Sequence, residues 1–449
     1  MISSCYQVFS AIICYNITRE CDVMQFSVET RDLGEFDVIV AGGGLAGTFA
    51  AVSAAREGCK VLLVESCGCL GGMLTAGSVP CIMDEKGKGG MLQELFDFLD
   101  LYGMRVARFG KKVDENGKKI PGRVVDSEGC KVFLDKLVRE NGVTTLFYSR
   151  IAACEMDGKR ISRVLVSTEC GNYCAGGKVF IDATGNGNLA ALAGCDFEWG
   201  QPGTGHISPA TTGFSLLGMP DDCDGTDSIL EKRAYGALLE EHGIQTSVGD
   251  VGFVRLPAMK TWDMNIDFQY GVLPDDIHSM TRATMDSRQE VFEAIEMHKK
   301  IPGYEGIWIS HTAEHLGLRE GRRVFGHYRI TDEDIAAGRK FEDGICLVQS
   351  KVDVHKLHEN DTLSTTRGMT SQPFEIPFRS LIARDADNLL LAGRCISGDF
   401  YPHGAYRMMG NTSAMGEAAG FGAAYVCRKD IALNEIPADA LRQRMQEYL

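Results

Sequence analysis

The sequence is short of the patterns that mark metal-cluster proteins. Its 449 residues include 16 cysteines, yet no Cys-x-x-Cys pair occurs among them. Cys67 and Cys69, like Cys170 and Cys174, have no second pair that would complete a zinc or iron–sulfur site. We therefore expect no metal and no iron–sulfur partner subunit. We interpret the cysteines as reduced cytosolic thiols, most of which act as small buried hydrophobes.

Long apolar runs and basic clusters are also missing. No stretch reaches the roughly 18 apolar residues that a membrane-spanning helix needs, so membrane insertion is not expected. The chain has 46 Lys and Arg against 61 Asp and Glu, a net charge of −15. Nucleic acid and anionic membrane surfaces are therefore disfavoured as partners. With 44% hydrophobic residues, the chain is expected to be a cytoplasmic globular protein of two joined domains.

Residues 1–35 precede the first clear motif, and we expect them to form a disordered N-terminal extension. Their short apolar patch has no basic segment before it and is followed at once by Arg19, Glu20 and Asp22. This pattern is typical of neither a signal peptide nor a membrane span. Met24 is a natural alternative start, so whether residues 1–23 belong to the mature protein is left open.

Residues 36–65, FDVIVAGGGLAGTFAAVSAAREGCKVLLVE, carry the most informative pattern. An apolar run, a glycine turn, a helix of small residues and a second apolar run predict strand, turn, helix and strand. Gly42 suits the tight turn, Gly44 the approach of backbone to a pyrophosphate, and Gly47 close packing of helix on strand. Glu65 ends the second strand, where its carboxylate can accept both ribose hydroxyls. The stretch predicts a bound adenine dinucleotide, and by itself leaves FAD and NAD open.

Three alternating runs between residues 151 and 181 predict a β-meander. The third run enters an Asp-Ala-Thr-Gly turn at 182–185, and a helix of small residues follows. From residue 195 to about 375 the pattern changes to longer polar insertions, with helices near 228–242 and 285–299. Residues 388–392, NLLLA, predict a buried strand that leads to a Gly/Ala-rich helix at 411–426.

Several of these motifs occur together, and in the same order, in one known family. Over nearly all of the chain from residue 36 onward, the sequence resembles the FAD-dependent oxidoreductase family whose nucleotide domain has the glutathione-reductase-like fold. The matching segments are GGGLAG with Glu65, LGGMLTAG at 70–77, IDATGNGNLAALAG at 181–194, TAEHLGLREGRRVFGHY at 312–328, IPFRSLIARDADNLLLAGRCISG at 376–398, Arg407, and MGEAAG from Met415.

The resemblance implies an α/β fold, with a glutathione-reductase-like FAD-binding domain that has a central parallel sheet and a β-meander. A mixed α+β substrate or cap domain is inserted into it. The expected boundaries are 36–194 and 376–449 for the two parts of the FAD-binding domain and 195–375 for the cap domain. No second glycine fingerprint is present, so a built-in NAD(P)H site is not indicated.

The resemblance also implies which residues contact FAD. The C-terminal helix should begin near Met409 to Thr412 and direct the positive end of its dipole toward the flavin N1/O2 edge. We expect the flavin to be noncovalent, and a redox role for Cys67 or Cys395 is a secondary hypothesis. The expected FAD-binding residues are Gly42, Gly44, Leu45, Ala46, Gly47, Glu65, Ser66, Gly72, Met73, Thr75, Ile151, Ala183, Thr184, Gly185, Gly393, Arg394, Gly410, Asn411 and Met415.

The sequence departs from the family pattern after the Ala-Thr-Gly turn and near the last helix. Asn186 and Asn188 stand where two acids are usual, and Gly321 replaces the usual hydroxyl residue of the arginine motif. The family commonly shows a His-Glu pair before the aligned Arg407. Here His403 lies three residues out of that register, so the transfer of a catalytic histidine from the family is open to question.

Candidate catalytic residues lie between the AGR strand and the last helix. His403 or Tyr406 is expected to handle a proton, and Arg407 to anchor substrate or flavin. A helical reading of LREGRR would place Arg319 and Arg322 on one face as anchors for an anionic substrate, with structural ion pairs as the more ordinary alternative.

One more motif, His-x-x-Glu-His at 311–315, resembles a zinc motif. Two histidines spaced in this way share a metal when they lie on a helix. A third ligand and a fitting fold are not evident, and we expect no zinc there. His355 and His358 are interpreted as surface residues.

The sequence therefore predicts an FAD-dependent dehydrogenase. It is expected to transfer hydride between a small polar, anionic or hydroxyl-bearing substrate and flavin N5, with electrons leaving to a separate acceptor. Two alternatives stay open at this point. One is a flavin-dependent reductase of an activated double bond, and the other is a non-catalytic flavin redox sensor or complex subunit. The oligomeric state is also open.

Overall fold

The computed structural model of the chain describes residues 7–9, 27–106, 123–223, 225–226, 229–256, 260–361 and 370–449. Residues 1–6 and 10–26 of the expected extension therefore lie outside the described part. Residues 28–35 were also assigned to that extension, but they belong to a strand that begins at Val28. They are ordered because Thr30 and Asp32 pair with Asn172 and Cys174 of a neighbouring strand.

The described elements alternate between strands and helices along most of the chain. The strands are β1 (Gln7–Phe9), β2 (Val28–Ala41), β3 (Val61–Val64), β4 (Arg105–Val106), β5 (Val124–Val125), β6 (Thr144–Leu146), β7 (Ser149–Asp157), β8 (Arg160–Thr168), β9 (Gly171–Asp182), β10 (Phe197–Glu198), β11 (Phe214–Leu217), β12 (Gly252–Leu256), β13 (Thr261–Asn265), β14 (Trp308–Thr312), β15 (Arg323–Val324), β16 (Gly344–Val348), β17 (Phe374–Pro377) and β18 (Leu389–Leu391). The α-helices are α1 (Leu45–Arg56), α2 (Gly90–Leu101), α3 (Ser127–Glu140), α4 (Asn188–Leu192), α5 (Ile229–Glu241), α6 (Ile277–His298), α7 (Asp332–Ala337), α8 (Phe400–Tyr406), α9 (Met409–Lys429) and α10 (Ala438–Arg444).

The central sheet mixes parallel and antiparallel strands. Strands β6, β3, β2 and β9 lie side by side and are parallel. Along its other edge, β9 pairs with β8 over residues 171–176 and with β18 over residues 180–182. The antiparallel β7–β8–β9 meander therefore branches from the parallel sheet. This confirms the predicted α/β fold, parallel sheet and β-meander, and the glutathione-reductase-like specification stays a prediction.

Helix α9 packs against α1, and glycine makes this close approach possible. A Cβ added to Gly416 would lie 2.2 Å from the Ala46 carbonyl oxygen, and one added to Gly420 would lie 2.1 Å from that of Ala50. Only glycine at these positions lets the two helix backbones come so near each other. The predicted C-terminal helix is confirmed, and the packing brings its N-terminus to the glycine turn after β2.

The inserted domain has its own sheet and core. Its four strands run in the order β12-β13-β11-β14, and α5 and α6 accompany them. Phe214, Trp262 and Val291 lie in a core separate from that of the central sheet. The predicted boundary at 375 differs from this arrangement, because residues 324–374 contribute to the main core through side chains such as Val348 and Phe374. The cap is thus smaller than expected.

Among the described residues, no helix combines the length and apolar character needed to cross a bilayer.

Candidate functional site

The glycine turn between β2 and α1 has the geometry that its sequence predicts. Gly42 has φ +92°, in the region that favours glycine. A Cβ added to Gly47 would lie 1.8 Å from the Gly42 carbonyl oxygen, so Gly47 serves helix-to-turn packing. Gly44 differs, because a Cβ added there meets no atom within 4 Å. Gly44 therefore faces open space rather than protein.

That open space is a cleft of about 460 Å³, here called the nucleotide cleft. It lies at the ends of β2, β3 and β9 and extends to the start of α9, where Met409 and Thr412 line it. The structure thus brings together residues from segments that are widely separated in the chain. The predicted residues that line it are Gly42, Gly44, Leu45, Ala46, Glu65, Ser66, Gly72, Met73, Ile151, Ala183, Thr184, Gly185, Gly393, Arg394 and Arg407.

Glu65 closes one side of the nucleotide cleft. It is 7% exposed, and its Oε2 accepts the Gly43 N–H at 2.5 Å. Its Oε1 accepts the Cys67 N–H at 2.7 Å and the Ser66 hydroxyl at 3.0 Å. The carboxylate therefore joins the glycine turn to the end of β3, and from this position it lines the cleft where a ribose was expected.

The cleft offers an anion two kinds of donor. Helix α1 begins at Leu45, and its N-cap residue Gly44 gives no side-chain cap to the first helical N–H groups. Arg394 also lines the cleft, and its buried Nε has no hydrogen-bond partner among the described residues. Its Nη2 donates to Asn186 Oδ1 at 2.7 Å. Burial lowers the pKa of Arg394 to about 10. A buried guanidinium without a carboxylate partner in the described chain fits a bound phosphate.

Arg322 is buried and its contacts are with protein groups, so its expected role in substrate binding stays a prediction. Its Nη1 donates to the Asn186 carbonyl at 3.0 Å and to Asn188 Oδ1 at 3.1 Å. The guanidinium also lies over the rings of Phe197 and Trp199. Arg322 thus fastens the turn in which asparagines replace the usual acids. The expected helix over LREGRR is wrong, since only the two-residue strand β15 occurs there.

Four other predicted contacts lie behind the cleft wall rather than on it. The Thr75 hydroxyl donates to the Leu70 carbonyl at 2.6 Å. Asn411 donates to Asp84 Oδ2 at 2.9 Å, and a Cβ on Gly410 would lie 2.1 Å from the Asp84 carbonyl oxygen. Met415 is fully buried in the main core. These residues, like Gly47, position the segments that form the cleft.

His403 and Tyr406 are buried in α8 and do not line the nucleotide cleft. The Tyr406 hydroxyl donates to the Ile396 carbonyl at 3.1 Å. Burial raises the pKa of Tyr406 above its ordinary range. His403 is 3% exposed, and burial, reinforced by Arg323 and Arg407, holds its pKa well below the ordinary value. The sequence predicts both residues near the flavin because they lie between the AGR strand and the last helix. In the structure they belong to the short helix α8, and their side chains point into the core.

Arg407 lines the nucleotide cleft, and its role as an anchor for substrate or flavin stays a prediction. Its Nη2 donates to Asp353 Oδ2 and to the Asp353 carbonyl oxygen, both at 2.9 Å. The other carboxylate oxygen, Oδ1, lies 3.5 Å from His355 Nε2. Burial opposes ionisation of Asp353, but His355, Arg407 and Arg319 hold its pKa well below the usual range. The lowered pKa favours the ionised form of Asp353. Its carboxylate lies between Arg407, which lines the nucleotide cleft, and His355.

Beyond Asp353 lies a second cavity of about 260 Å³, here called the arginine cavity, which Arg319 and His355 line. Arg319 Nη1 donates to the Pro209 carbonyl at 2.8 Å, and its guanidinium lies 5.0 Å from the centre of the Phe268 ring. Burial, reinforced by Arg407, lowers the pKa of Arg319 to about 10. His355 was interpreted as a surface residue. No signal in the sequence connects it with Arg319, 36 residues away.

The His-x-x-Glu-His segment is not a metal site in this structure. His311 lies in β14 and His315 follows in a bend, so the helical spacing that would let them share a metal is absent. No group of three or more His, Cys, Asp or Glu side chains suited to a metal occurs in the part of the chain that the structure describes.

The surroundings of the two cysteines considered for redox chemistry favour the protonated thiol. Burial, reinforced by Glu65, raises the pKa of Cys67 to about 12. Cys395 is fully buried, and burial raises its thiol pKa further. Because the thiolate is the reactive form, neither site favours thiol redox chemistry.

The model of the FAD dependent oxidoreductase family matches residues 37–445. The chain belongs to this family. FAD is accordingly its cofactor, and the nucleotide cleft is where this FAD-dependent oxidoreductase has residues suited to it. The uncapped N–H groups of α1 and the Arg394 guanidinium suit the pyrophosphate, and Glu65 suits the ribose.

Several solved structures match most of the chain at low sequence identity. A geranylgeranyl bacteriochlorophyll reductase-like protein from Thermoplasma acidophilum is 15% identical, with 92% of this chain and 82% of that chain covered and a TM-score of 0.47. A myxobacterial chondrochloren halogenase is 12% identical, with 92% and 78% covered and a TM-score of 0.49. A p-nitrophenol 4-monooxygenase from Pseudomonas putida is also 12% identical, with 92% and 88% covered and a TM-score of 0.46. No curated protein matches the chain.

We expect Arg394→Met to weaken FAD binding by about 10- to 100-fold, the equivalent of one charge-assisted hydrogen bond of roughly 1.5–3 kcal/mol. The cofactor-free variant should unfold at the same temperature as the cofactor-free parent or higher, because a buried cation without a carboxylate partner is removed. FAD titration and thermal unfolding of the two apoproteins measure both effects. Arg394→Lys is the control that keeps the charge. Unchanged affinity in the Met variant would rule out the pyrophosphate contact.

Asp263 gives a pH-dependent prediction of stability. It is 8% exposed, accepts the Ser215 hydroxyl, and has a pKa that burial raises to about 6. The folded state therefore binds this proton more tightly than the unfolded state, whose carboxyl has a pKa of about 3.9. The protonated form therefore contributes about 3 kcal/mol to the free energy of unfolding below pH about 4. This contribution is lost as pH rises through about 6.

Asp263→Asn should accordingly raise the unfolding temperature at pH 8 and leave it nearly unchanged at pH 4. An amide oxygen can still accept the Ser215 hydroxyl, so the substitution changes charge more than packing. Thermal unfolding at the two pH values measures the difference. An equal change in unfolding temperature at pH 4 and pH 8 would show that the charge of Asp263 does not affect stability.

Proposed function

We propose that the protein is an FAD-dependent dehydrogenase for a small anionic compound that bears a hydroxyl group. A hydride would pass from the hydroxyl-bearing carbon to flavin N5, and the electrons would leave to a separate acceptor. FAD supplies the two-electron chemistry when bound. The chain's own residues bind the substrate, orient it and exclude water.

Arg319 is the observation that carries this proposal. Its guanidinium lines the arginine cavity and forms no direct ion pair among the described residues, while the carboxylates of Asp353 and Asp267 act on it from farther away. Burying a guanidinium that no carboxylate contacts directly is costly, and burial and the charge of Arg407 lower its pKa even though Asp353 and Asp267 oppose them. A substrate carboxylate would supply the missing charge and two parallel hydrogen bonds. A cavity of about 260 Å³ suits a small organic acid.

A chain of side-chain contacts between the walls of the two cavities supports the same proposal. Arg407 lines the cleft and binds Asp353, whose other carboxylate oxygen faces His355 in the wall of the arginine cavity. Pro274 and Met280, which come from the inserted domain, also line the cleft. The inserted domain thus forms part of the wall of the nucleotide cleft, where it would help to shield a bound substrate from water.

An anaerobic titration of the purified protein tests the proposal. Glycolate, lactate, malate, their amides, neutral sugars and amino acids would be added in turn while the absorbance of oxidised flavin is followed. We expect at least one hydroxy acid to bleach the flavin, and its neutral amide to do so at least about tenfold more weakly. Flavin that none of these compounds reduces, or that an external donor reduces only for transfer to a double bond, would overturn the dehydrogenase assignment.

A further inference from the structure

The segment after β16 carries a histidine and an aspartate that the sequence reading left without a role. His355 lies in the wall of the arginine cavity, and 34% of its side chain remains exposed there. Asp353 is held from its other side by Arg407 through two hydrogen bonds of 2.9 Å. His355 therefore lines the arginine cavity, and Asp353 connects it with Arg407, which lines the nucleotide cleft.

The position of Asp353 determines which ring nitrogen of His355 carries the proton. The carboxylate Oδ1 faces Nε2 at 3.5 Å, which favours the tautomer with its proton on Nε2. Nδ1 then keeps its lone pair. A carboxylate that orients a histidine in this way leaves the opposite nitrogen free to accept a proton.

His355 and Arg319 both contact Phe268 and line the same cavity. The His355 ring meets Phe268 edge-on, with ring centres 5.2 Å apart, and the Arg319 guanidinium lies 5.0 Å from the centre of that ring. All three residues line the arginine cavity. A small acid whose carboxylate binds Arg319 would therefore present its hydroxyl near the imidazole.

The surroundings keep His355 neutral. Burial lowers its pKa, the charges of Arg319 and Arg407 lower it further, and Asp353 opposes them. A neutral imidazole at neutral pH can accept a proton, whereas an imidazolium cannot. The other histidine considered for this task, His403, is 3% exposed and is not among the residues that line either cavity.

We propose that His355 is the proton acceptor of the reaction and that Asp353 is its positioning residue. This inference rests on the dehydrogenase function proposed above. The hydroxyl O–H bond breaks and its proton passes to His355 Nδ1, while the carbon–hydrogen bond breaks and its electron pair leaves as hydride to FAD. A carbonyl forms on the substrate, which is oxidised by two electrons as FAD is reduced. A separate acceptor, here an artificial quinone, reoxidises the flavin.

The test is anaerobic flavin reduction in the holoenzyme by the hydroxy acid that bleaches it fastest in the titration. His355→Gln should keep bound FAD and a dissociation constant for the acid within about threefold, but reduce the flavin about 100-fold more slowly. The fall in rate on the acid side of the pH profile, set by His355 protonation, should disappear. His278→Gln, on the exposed surface of α6, is the matched control and should reduce at the parental rate.

Asp353→Asn separates positioning from structural support. Without this carboxylate, Arg319 and Arg407 are the charges that act on His355, and its pKa should fall. The acid limb of the pH profile should therefore move to lower pH, and the rate of flavin reduction should fall about tenfold. A His355→Gln variant that is reduced at the parental rate with the parental pH profile would overturn the inference, as would an unmoved acid limb in Asp353→Asn. A parent enzyme that no hydroxy acid reduces would instead overturn the proposed function.

Discussion

Replacing Gly44 by valine is expected to abolish FAD retention while the protein keeps its fold. Gly44 has φ −60° and ψ 177°, an extended conformation that valine adopts without strain. A Cβ at this position meets no protein atom within 4 Å and enters the nucleotide cleft at the start of α1. The added side chain would therefore occupy the place proposed for the pyrophosphate. We expect at least about 100-fold weaker binding, or roughly 3 kcal/mol.

The measurement is the ratio of flavin absorbance to protein, together with circular dichroism and thermal unfolding of both apoproteins. Gly47→Ala is the contrasting variant, because its Cβ would lie 1.8 Å from the Gly42 carbonyl oxygen. It should lose the fold of the turn and the cofactor together. A Gly44→Val protein that purifies with a full complement of FAD would show that the cofactor does not pass this glycine.

Replacing Arg319 by glutamine is expected to raise the dissociation constant of the anionic substrate by about 100-fold. Charged hydrogen bonds of this kind contribute roughly 1.5–3 kcal/mol, and loss of one partner from a buried ion pair costs more. Bound FAD should be unchanged, since Arg319 lines the arginine cavity and not the nucleotide cleft. The dependence of the flavin reduction rate on acid concentration gives the constant directly.

Arg339→Gln provides the matched control, because the Arg339 side chain is 52% exposed and pairs with Asp334. It should leave the dissociation constant within about twofold. The amide of the same substrate should bind the parent and Arg319→Gln proteins about equally, since it has no carboxylate to lose. A constant for the acid that changes by less than about twofold in Arg319→Gln would remove Arg319 from the substrate site.

Local patterns were sufficient to predict the cofactor half of the molecule. The glycines at 42, 44 and 47 each have a distinct steric task, and the structure gives Gly42 a positive φ and Gly47 a contact that only glycine allows. The start of a helix can also be predicted where the sequence offers a capping residue. The Asp126 side chain accepts the Gly129 N–H at the start of α3, and an aspartate directly before a helical pattern is a typical N-cap signal.

The substrate half could not be predicted, because it depends on contacts between distant segments. Nothing near His355 in the sequence indicates that it faces Arg319, and the two meet only through Phe268 of the inserted domain. The LREGRR segment has helical spacing, but a Cβ on Gly321 would lie 2.9 Å from Asn186 Cα. The segment is therefore held as a loop against the Ala-Thr-Gly turn. Tertiary packing decided these positions over local propensity.

The most direct test of hydride transfer uses a hydroxy acid with deuterium on its hydroxyl-bearing carbon. Flavin reduction would be followed anaerobically by stopped flow, at saturating concentrations of the deuterated acid and of its ordinary form. We expect the deuterated acid to reduce the flavin several-fold more slowly and the label to leave the carbon as the carbonyl forms. Equal rates in single-turnover reduction, or deuterium retained on the oxidised product, would contradict hydride transfer from that carbon to FAD.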